Sequence, residues 1–264
     1  MNIYILTDLE GISGIYSKEQ ISPEERLFDD GRRYLTREIN ICADACKAEG
    51  VDKIYVRDGH GGGNNAIWDK LSDSVDVLIS GITDDERYPN IDDCDGVILL
   101  GYHAMAGTSK AILEHTMSSR SVQNYYINGK KIGEVGLDAA ILSEYGKPII
   151  MVSGDDVLCA EAKELLPRVT AVEVKKAHSC GGGSLLSPLA SAERIRQGVK
   201  AAIANPKNGN YDLISTEKPV RFRIEYTERT RLPIKTARPH MTFIDGRTVE
   251  AEADTVEEAF FHLF

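Results

Sequence analysis

The chain has 264 residues, of which 42% are hydrophobic and 27% are charged, close to the usage of ordinary globular proteins. This composition excludes fibrous, collagen-like and largely disordered proteins, and it predicts a chain that buries a sizeable core. The formal net charge of -10 repels nucleic-acid backbones, and no run of five or more basic residues offsets it. We therefore expect no nucleic-acid partner.

The sequence predicts a soluble, cytoplasmic protein. Its first residues carry neither the basic start nor the apolar stretch of a secretory signal, and no apolar run approaches the roughly 18 residues of a membrane span. We therefore expect no membrane partner. The five cysteines are scattered and form no C-x-x-C pair, which favours reduced thiols in a reducing compartment.

The first hundred residues alternate between predicted strands and a long helix. A strand, a helix and a second strand in this order predict a parallel sheet. The last strand of this part is an uninterrupted apolar run, which is typical of a strand covered on both faces. The predicted strands are residues 3–7, 53–57, 75–80 and 96–101.

The long helix is expected to begin near Ser22. Ser22 fits an N-cap, Pro23 fits the first helical position and Glu25 fits the third position of a capping box. Gly50 ends the helix, and a break at Gly31 is an alternative that the sequence leaves open.

Beyond residue 121 the sequence predicts a hairpin and then more alternation of helices and strands. The hairpin turns at Asn128 and Gly129, a strong turn dipeptide. The glycine-rich residues 178–184 are expected to form a flexible loop. Strands are predicted at residues 122–127, 147–152 and 169–174, and helices at 134–145, from a cap at 153–156 to 166, and at 187–206.

These elements predict an α/β protein with a three-layer αβα core, whose sheet is mostly parallel, over residues 1–206. Residues 207–264 are expected to form a smaller α+β portion packed on that core. This portion begins with a polar linker and contains strands near residues 220–226, 241–244 and 248–251 and a helix from about residue 254.

Acidic and histidine residues follow three of the predicted parallel strands. Asp8 and Glu10 follow the first strand, His60 follows the second, and His103 follows the apolar strand that ends at residue 101. Ligands bind beyond the carboxyl ends of the strands in open α/β sheets, so we expect these side chains to meet at one edge. Asp8 and Glu10, two residues apart, point the same way if strand geometry persists.

Two further residues extend this set. Glu134 begins the helix after the hairpin, and His115 lies in the loop before the hairpin. Carboxylates mixed with imidazoles suit zinc or manganese better than calcium. The three carboxylates of Asp8, Glu10 and Glu134 would repel one another without metal, so two divalent cations and a bridging hydroxide are predicted. His115 is then a candidate for moving a proton or stabilising an oxyanion.

Two alternatives stand beside this hypothesis. A magnesium-dependent phosphatase similar to the haloacid dehalogenases would use Asp8 as its nucleophile and Asp155 and Asp156 as metal ligands. It would leave the three loop histidines without a role, and it calls for aspartate at the position of Glu10. Asp155 and Asp156 are otherwise explained as helix caps. A non-catalytic binding protein on the same scaffold is the second alternative.

Seven motifs, in this order along the chain, resemble the DppA-type D-aminopeptidases, a family of zinc metallopeptidases. The resemblance covers most of residues 1–206. The motifs are Thr7-Asp8-Leu9-Glu10-Gly11-Ile12-Ser13-Gly14, Asp58-Gly59-His60 with Asn64-Asn65, Gly101-Tyr102-His103-Ala104, His115-Thr116-Met117, Tyr126-Ile127-Asn128, Gly133-Glu134-Val135-Gly136-Leu137 and Val152-Ser153-Gly154-Asp155-Asp156.

The resemblance implies two zinc ions per subunit and His115 as the catalytic histidine. It also implies an aminopeptidase that releases N-terminal D-amino acids, such as D-alanine, from short peptides, and a homodecameric ring. Manganese or another divalent metal stays open as the native ion. The implied metal ligands are Asp8, Glu10, His60, His103 and Glu134.

Overall fold

The computed structural model describes the chain except at residues 83–85, 208, 234–239 and 264. The chain divides into two compact units that are interleaved in sequence. The first unit consists of Met1–Ala104, Ser109–Leu113 and Lys147–Asp212, and the second unit consists of Met105–Thr108, Glu114–Gly146 and Leu213–Phe264.

Strands and helices alternate along the first unit, whereas strands dominate the second. The helices are α1 (Phe28–Ala48), α2 (Glu134–Glu144), α3 (Asp156–Leu165), α4 (Pro188–Lys207) and α5 (Val256–Phe261). The strands are β1 (Asn2–Thr7), β2 (Lys53–Asp58), β3 (Val77–Ile79), β4 (Gly96–Leu100), β5 (Val122–Ile127), β6 (Lys130–Ile132), β7 (Ile149–Asp155), β8 (Thr170–Ser179), β9 (Gly182–Leu185), β10 (Val220–Tyr226), β11 (Met241–Phe243) and β12 (Thr248–Ala253).

The first unit contains a seven-stranded sheet in the order β3-β2-β1-β4-β7-β8-β9. Its strand pairs are parallel except β8 and β9, which pair antiparallel. Helices flank this sheet: α1 packs against α4, α4 against β7 and β8, and α3 against the same two strands. The prediction of an α/β fold with a mostly parallel sheet is confirmed.

The central strand β4 is apolar along its whole length. Every residue of β4 is buried, as the uninterrupted apolar run predicts. In the register of the sheet, Thr7 at the end of β1 pairs with Asp58 at the end of β2 and with Leu100 at the end of β4. Three carboxyl ends therefore lie level at one edge of the sheet.

Helix α1 begins later than its sequence predicts. Ser22 and Glu25 take part in separate turns, in which the N–H of Glu25 donates to the carbonyl of Ser22 and the N–H of Phe28 donates to the carbonyl of Glu25. The capping box belongs instead to Ser17, which caps a short 3-10 helix at Lys18–Gln20. Because the turns satisfy these amides, the regular helix starts only at Phe28, and it runs through Gly31 without a break.

The glycine-rich residues 178–184 are not the flexible loop that their composition predicts. Strand β8 continues to Ser179, and β9 pairs back onto it. Gly183 allows this pairing, because a Cβ there would lie 2.4 Å from the Lys176 carbonyl oxygen and 2.7 Å from Ile112 Cδ1. The glycines permit close packing of a hairpin.

The second unit contains a five-stranded antiparallel sheet in the order β11-β12-β10-β5-β6. The predicted hairpin is confirmed, since Asn128 and Gly129 both have positive φ, at 49° and 81°, as a primed turn requires. Tyr125 of β5, Phe222 of β10 and Phe260 of α5 pack edge to face in its core.

The two units divide the chain differently from the predicted boundary between residues 1–206 and 207–264. Strand β5 pairs with β10 across about a hundred residues of sequence, with Ile127 opposite Phe222. This long-range pairing joins residues 114–146 to the C-terminal strands. Within the described part of the chain, no helix combines the length and the apolar character needed to cross a bilayer.

Candidate metal centre

The candidate centre of the first unit lies at the carboxyl edge of its parallel sheet. Asp8 is the first residue after β1, His60 comes two residues after β2, and His103 comes three residues after β4. The N–H of Asp8 donates to the Leu100 carbonyl at 2.9 Å and that of Gly11 to the Gly101 carbonyl at 2.7 Å. The loops after β1 and β4 are therefore joined, as the prediction of one shared edge requires.

His60 contacts both carboxylates of the first loop. Its Nδ1 lies 3.2 Å from Asp8 Oδ1 and 3.1 Å from Glu10 Oε2. Its Nε2 lies 3.0 Å from the carbonyl oxygen of Ile21. The imidazole is thus held between two carboxylates on one side and a backbone acceptor on the other.

His103 contacts the other carboxylate oxygen of Asp8. Its Nε2 lies 3.2 Å from Asp8 Oδ2, and its Nδ1 lies 3.0 Å from the carbonyl oxygen of Ala104. Such a backbone contact fixes the orientation of a ligating imidazole in metal sites. Asp8, Glu10 and His103 are 7%, 1% and 2% exposed, so the cluster is shielded from bulk water.

Burial and mutual charge shift the pKa values in this cluster. Burial raises the pKa of Asp8, but its contacts with His103 and His60 outweigh this effect and hold the pKa well below its ordinary value of 3.8. Burial lowers the pKa of His60, but the charge of Glu10 and the contact with Asp8 hold that pKa well above 6.5. The cluster therefore favours a positive charge beside its two carboxylates.

The donor set fits a divalent metal. Asp8 Oδ2 is a buried carboxylate oxygen that faces His103 Nε2 at 3.2 Å, and a buried carboxylate is costly unless a positive charge or a metal ion compensates it. One ligand atom each of Asp8, Glu10 and His103 lie within 4.8 Å of one another. Two carboxylates with two imidazoles match the ligands of zinc and manganese rather than the all-oxygen ligands of calcium.

The loop that carries His60 is fixed by a buried aspartate. Asp58 Oδ2 accepts the N–H groups of Asn65 at 2.6 Å and Ala66 at 2.8 Å, and Asp58 Oδ1 accepts the Asn65 side-chain amide at 2.8 Å. The same amide donates to the His60 carbonyl at 2.7 Å. This network explains why Asp58 and Asn65 accompany His60 in the sequence motif.

His115 and Glu134 belong to the second unit, where they lie near each other. Glu134 is the first residue of α2, and its Oε1 lies 3.9 Å from His115 Nε2. The N–H of Met117 donates to the same Oε1 at 2.7 Å. Met117 has a φ of 60°, which is uncommon for a residue with a long side chain. The local backbone therefore directs an amide toward the carboxylate.

Asp155 and Asp156 are engaged by backbone amides. Asp155 caps α3 by accepting the N–H of Leu158 at 2.8 Å, and its other oxygen accepts the N–H of Ile112 at 2.9 Å. Asp156 Oδ1 accepts the N–H of Ala177 at 2.8 Å. The capping interpretation is confirmed for Asp155.

Two buried charged residues beside the centre were absent from the sequence prediction. Lys175 and Glu38 are 2% exposed each, and both bind the loop that carries Asp8 and Glu10. Burial lowers the pKa of Lys175 to about 8, against the attraction of surrounding carboxylates such as Asp155. Neither residue stands out in the sequence, since lysine on a strand and glutamate in a helix are ordinary surface residues.

Known proteins are similar to this chain in both sequence and fold. Residues 1–263 match a family model described as D-aminopeptidase. A D-aminopeptidase of Bacillus subtilis is 30% identical over 262 residues, which are 98% of this chain and 94% of that protein. The structure of the zinc-dependent D-aminopeptidase DppA from Bacillus subtilis, described as a self-compartmentalizing protease, matches with a TM-score of 0.92 at 29% identity and covers 99% of this chain and 95% of that one.

An α/β sheet with buried carboxylates and imidazoles at its carboxyl edge, together with these matches, defines a metallo-aminopeptidase, which is a hydrolase. The family model covers nearly the whole sequence, so the chain belongs to the D-aminopeptidase family. The family resemblance of the seven motifs is confirmed. The phosphatase and binding-protein alternatives are wrong, because the family is one of peptidases.

Proposed function

We propose that this chain is a zinc-dependent aminopeptidase that releases N-terminal D-amino acids, D-alanine among them, from short peptides. The observation that carries the proposal is the convergence of the buried Asp8, Glu10 and His103 with the half-buried His60 at one sheet edge in a member of the D-aminopeptidase family. The relative of matching fold is described as zinc-dependent, which supports zinc over other divalent ions.

The proposed ligand set is Asp8, Glu10, His60, His103 and Glu134, and it holds two zinc ions per subunit. Three carboxylates bring three negative charges, and two divalent cations with one hydroxide bring three positive charges, so the centre is close to neutral. The family resemblance supplies Glu134, because that residue stands in a family motif of the second unit. Manganese is the competing ion, since the same donor atoms suit it.

The residues of this chain have separate roles in the proposed reaction. When bound, zinc polarises a peptide carbonyl and lowers the pKa of water toward about 7. The acidic and imidazole side chains of the first unit would hold the metal, and Asp8, Glu10 and His103 are buried away from bulk water. We assign His115 as the catalytic histidine, which moves a proton during cleavage of the amide.

Assembly and location complete the proposal. The DppA structure is described as a self-compartmentalizing protease, which supports a homo-oligomer, and the resemblance suggests a decameric ring. Five free cysteines are compatible with the reducing conditions of the cytoplasm, which is the proposed location.

Hydrolysis of dipeptides with and without a chelator tests the proposal. The zinc-loaded protein should cleave D-Ala-D-Ala and D-Ala-Gly and leave L-Ala-Gly largely intact. A chelator should abolish cleavage, and added zinc should restore it. Cleavage that survives complete metal removal would contradict the metal role, and equal rates on D-Ala-Gly and L-Ala-Gly would contradict the proposed stereospecificity. Manganese restoring more activity than zinc would assign a different native ion.

A further inference from the structure

A buried lysine binds the loop that carries two of the proposed metal ligands. We call residues 8–15 the ligand loop. Lys175 Nζ donates to the carbonyl oxygens of Glu10 at 2.5 Å, Ile12 at 3.1 Å and Ile15 at 2.7 Å. An ammonium group has three N–H donors, and here all three acceptors belong to one short loop more than 150 residues away in sequence.

A buried glutamate on helix α1 binds the same loop. Glu38 of α1 accepts the N–H of Ser13 at 3.0 Å through its Oε2. Lys175 lies on β8, so the ligand loop is bound by a strand through its carbonyls and by a helix through an amide. The carboxylate of Glu38 also attracts the Lys175 ammonium, which offsets part of the cost of burying both charges.

The position of Lys175 depends on an irregularity in the sheet. Along β8, Glu173 pairs with Gly154, but Asp155 pairs with Lys175, so Val174 is an extra residue in the register. Val174 and Lys175 are both buried as a result. A β-bulge of this kind redirects one side chain, and bulges are common next to active sites.

We propose that Lys175 is a positioning residue for the metal centre. Its three hydrogen bonds fix the backbone of the ligand loop, so that the Asp8 and Glu10 carboxylates are held in place before a metal binds. Residues that orient metal ligands typically change metal affinity by 10–100-fold when they are replaced. The inference rests on the proposed function, because it assumes that the ligand loop binds zinc.

Zinc affinity of the full-length chain tests this role directly. Lys175→Met keeps most of the side-chain volume and removes the three donors. Competition with a chromophoric chelator should show zinc binding that is 10–100-fold weaker than in the parent protein, and the visible absorption spectrum of the cobalt-substituted protein should change. Lys176→Met is the matched control, since Lys176 is the exposed neighbour on the same strand, and its zinc affinity should stay within twofold of the parent.

Thermal unfolding of the metal-free proteins measures any separate effect of Lys175 on stability, while the zinc affinity alone decides the positioning role. Zinc affinity within threefold of the parent in Lys175→Met would overturn the inference, whether or not the melting temperature of the metal-free protein falls. If Lys175→Met does not fold, Lys175→Gln decides, because its amide still donates two N–H groups. That variant should bind zinc 3–10-fold more weakly than the parent, and a change below twofold would overturn the inference.

Zinc binding and D-peptide cleavage by the parent protein test the proposed function independently of Lys175. Failure of the parent to bind zinc or to cleave D-peptides would contradict the proposed function by itself. The difference in zinc affinity between variant and parent concerns only Lys175. A parent that binds zinc without cleaving D-peptides still allows the positioning role to be confirmed or rejected.

Discussion

The two ends of the seven-stranded sheet differ in whether their charged side chains are buried or exposed. At the carboxyl end, Asp8 and His103 are buried and contact each other at 3.2 Å. At the amino end, Asp52, Asp76 and Asp95 precede the strands and are exposed. There, Asp95 accepts the N–H of Asn2, the first residue of β1, at 2.7 Å. The Asp95 carboxylate makes this hydrogen bond while it stays exposed to water.

This difference shows that the cost of burying charged groups falls at the carboxyl end of the sheet. An exposed carboxylate at a strand start keeps its hydration, so its charge costs little and its ion pairs contribute little. A buried carboxylate is costly unless it is paired or binds a metal. The carboxyl edge concentrates such costs around Asp8 and Glu10, and the three hydrogen bonds of Lys175 serve the same loop.

Removal of His60 should have the largest effect, because it takes away a proposed metal ligand. It tests whether the carboxyl edge is the metal-binding site. His60→Ala takes away an imidazole that lies within 3.2 Å of Asp8 and Glu10. The two carboxylates then repel each other without a nitrogen between them. We expect the purified variant to lose its metal and its peptidase activity, with metal content measured by atomic absorption.

The matched control is His178→Ala on the hairpin of β8 and β9. His178 is exposed, and its Nε2 contacts Ser184 Oγ at 2.8 Å. Metal content and activity of this variant should equal those of the parent protein. A full metal complement in His60→Ala would mean that the carboxyl edge binds metal without this histidine.

His115→Ala should have the next largest effect, and it tests a group that belongs to neither end of the sheet. His115 lies in the second unit, 3.9 Å from Glu134 through its Nε2. Because the proposed role is proton transfer and not metal binding, metal content should stay at the parent level while kcat falls about 100-fold or more. Unchanged kcat would remove His115 from the chemistry, and loss of metal would reassign it as a ligand.

Gly11→Ala should destabilise the protein by about 3 kcal/mol, because it breaks the close approach that forms the carboxyl edge. A Cβ at Gly11 would lie 1.9 Å from the Tyr102 carbonyl oxygen and 2.4 Å from the Gly101 carbonyl carbon. Both are backbone atoms, so no flexible side chain can move aside. Urea unfolding of the metal-free protein measures the loss.

Gly181→Ala is the control for an added methyl group, since among the residues that the structure describes no atom beyond the two chain neighbours lies within 4 Å of its Cβ position. Its free energy of unfolding should remain within about 0.5 kcal/mol of the parent value. Equal stabilities of the two alanine variants would show that the loops after β1 and β4 can separate without cost.

The residues at the carboxyl edge could be predicted from sequence because each of them closely follows a recognisable strand. An apolar strand followed directly by an acidic or histidine residue, as in Asp8, places that residue at the edge when the strands are parallel. Lys175 could not be predicted, because Val172 and Val174 alternate as in an ordinary strand and nothing in the sequence marks the bulge that buries the next residue. The pairing of β5 with β10 was equally hidden, since local patterns do not identify a distant partner strand.

The smallest expected effect concerns Asp76 at the amino end, where the comparison predicts a weak and pH-dependent contribution. Partial burial raises the pKa of Asp76, but hydrogen bonds from Lys47 Nζ and the N–H of Ile54 more than offset this, so the pKa lies below 3.8. A carboxyl whose pKa is lowered by folding stabilises the protein above its unfolded-state pKa and loses this contribution as the pH falls.

Asp76→Asn should therefore cost about 0.5 kcal/mol at pH 7, and the difference from the parent should shrink as the pH falls below 3.8 toward the folded-state pKa. Urea unfolding of both metal-free proteins, from pH 7 to the lowest pH at which they fold, measures this difference. Asp73→Asn, at an exposed position in the same loop, is the control and should change the free energy of unfolding less than Asp76→Asn does. A loss of several kcal/mol in Asp76→Asn would break the contrast between the two ends, because it would mean that the amino end also depends on its charges.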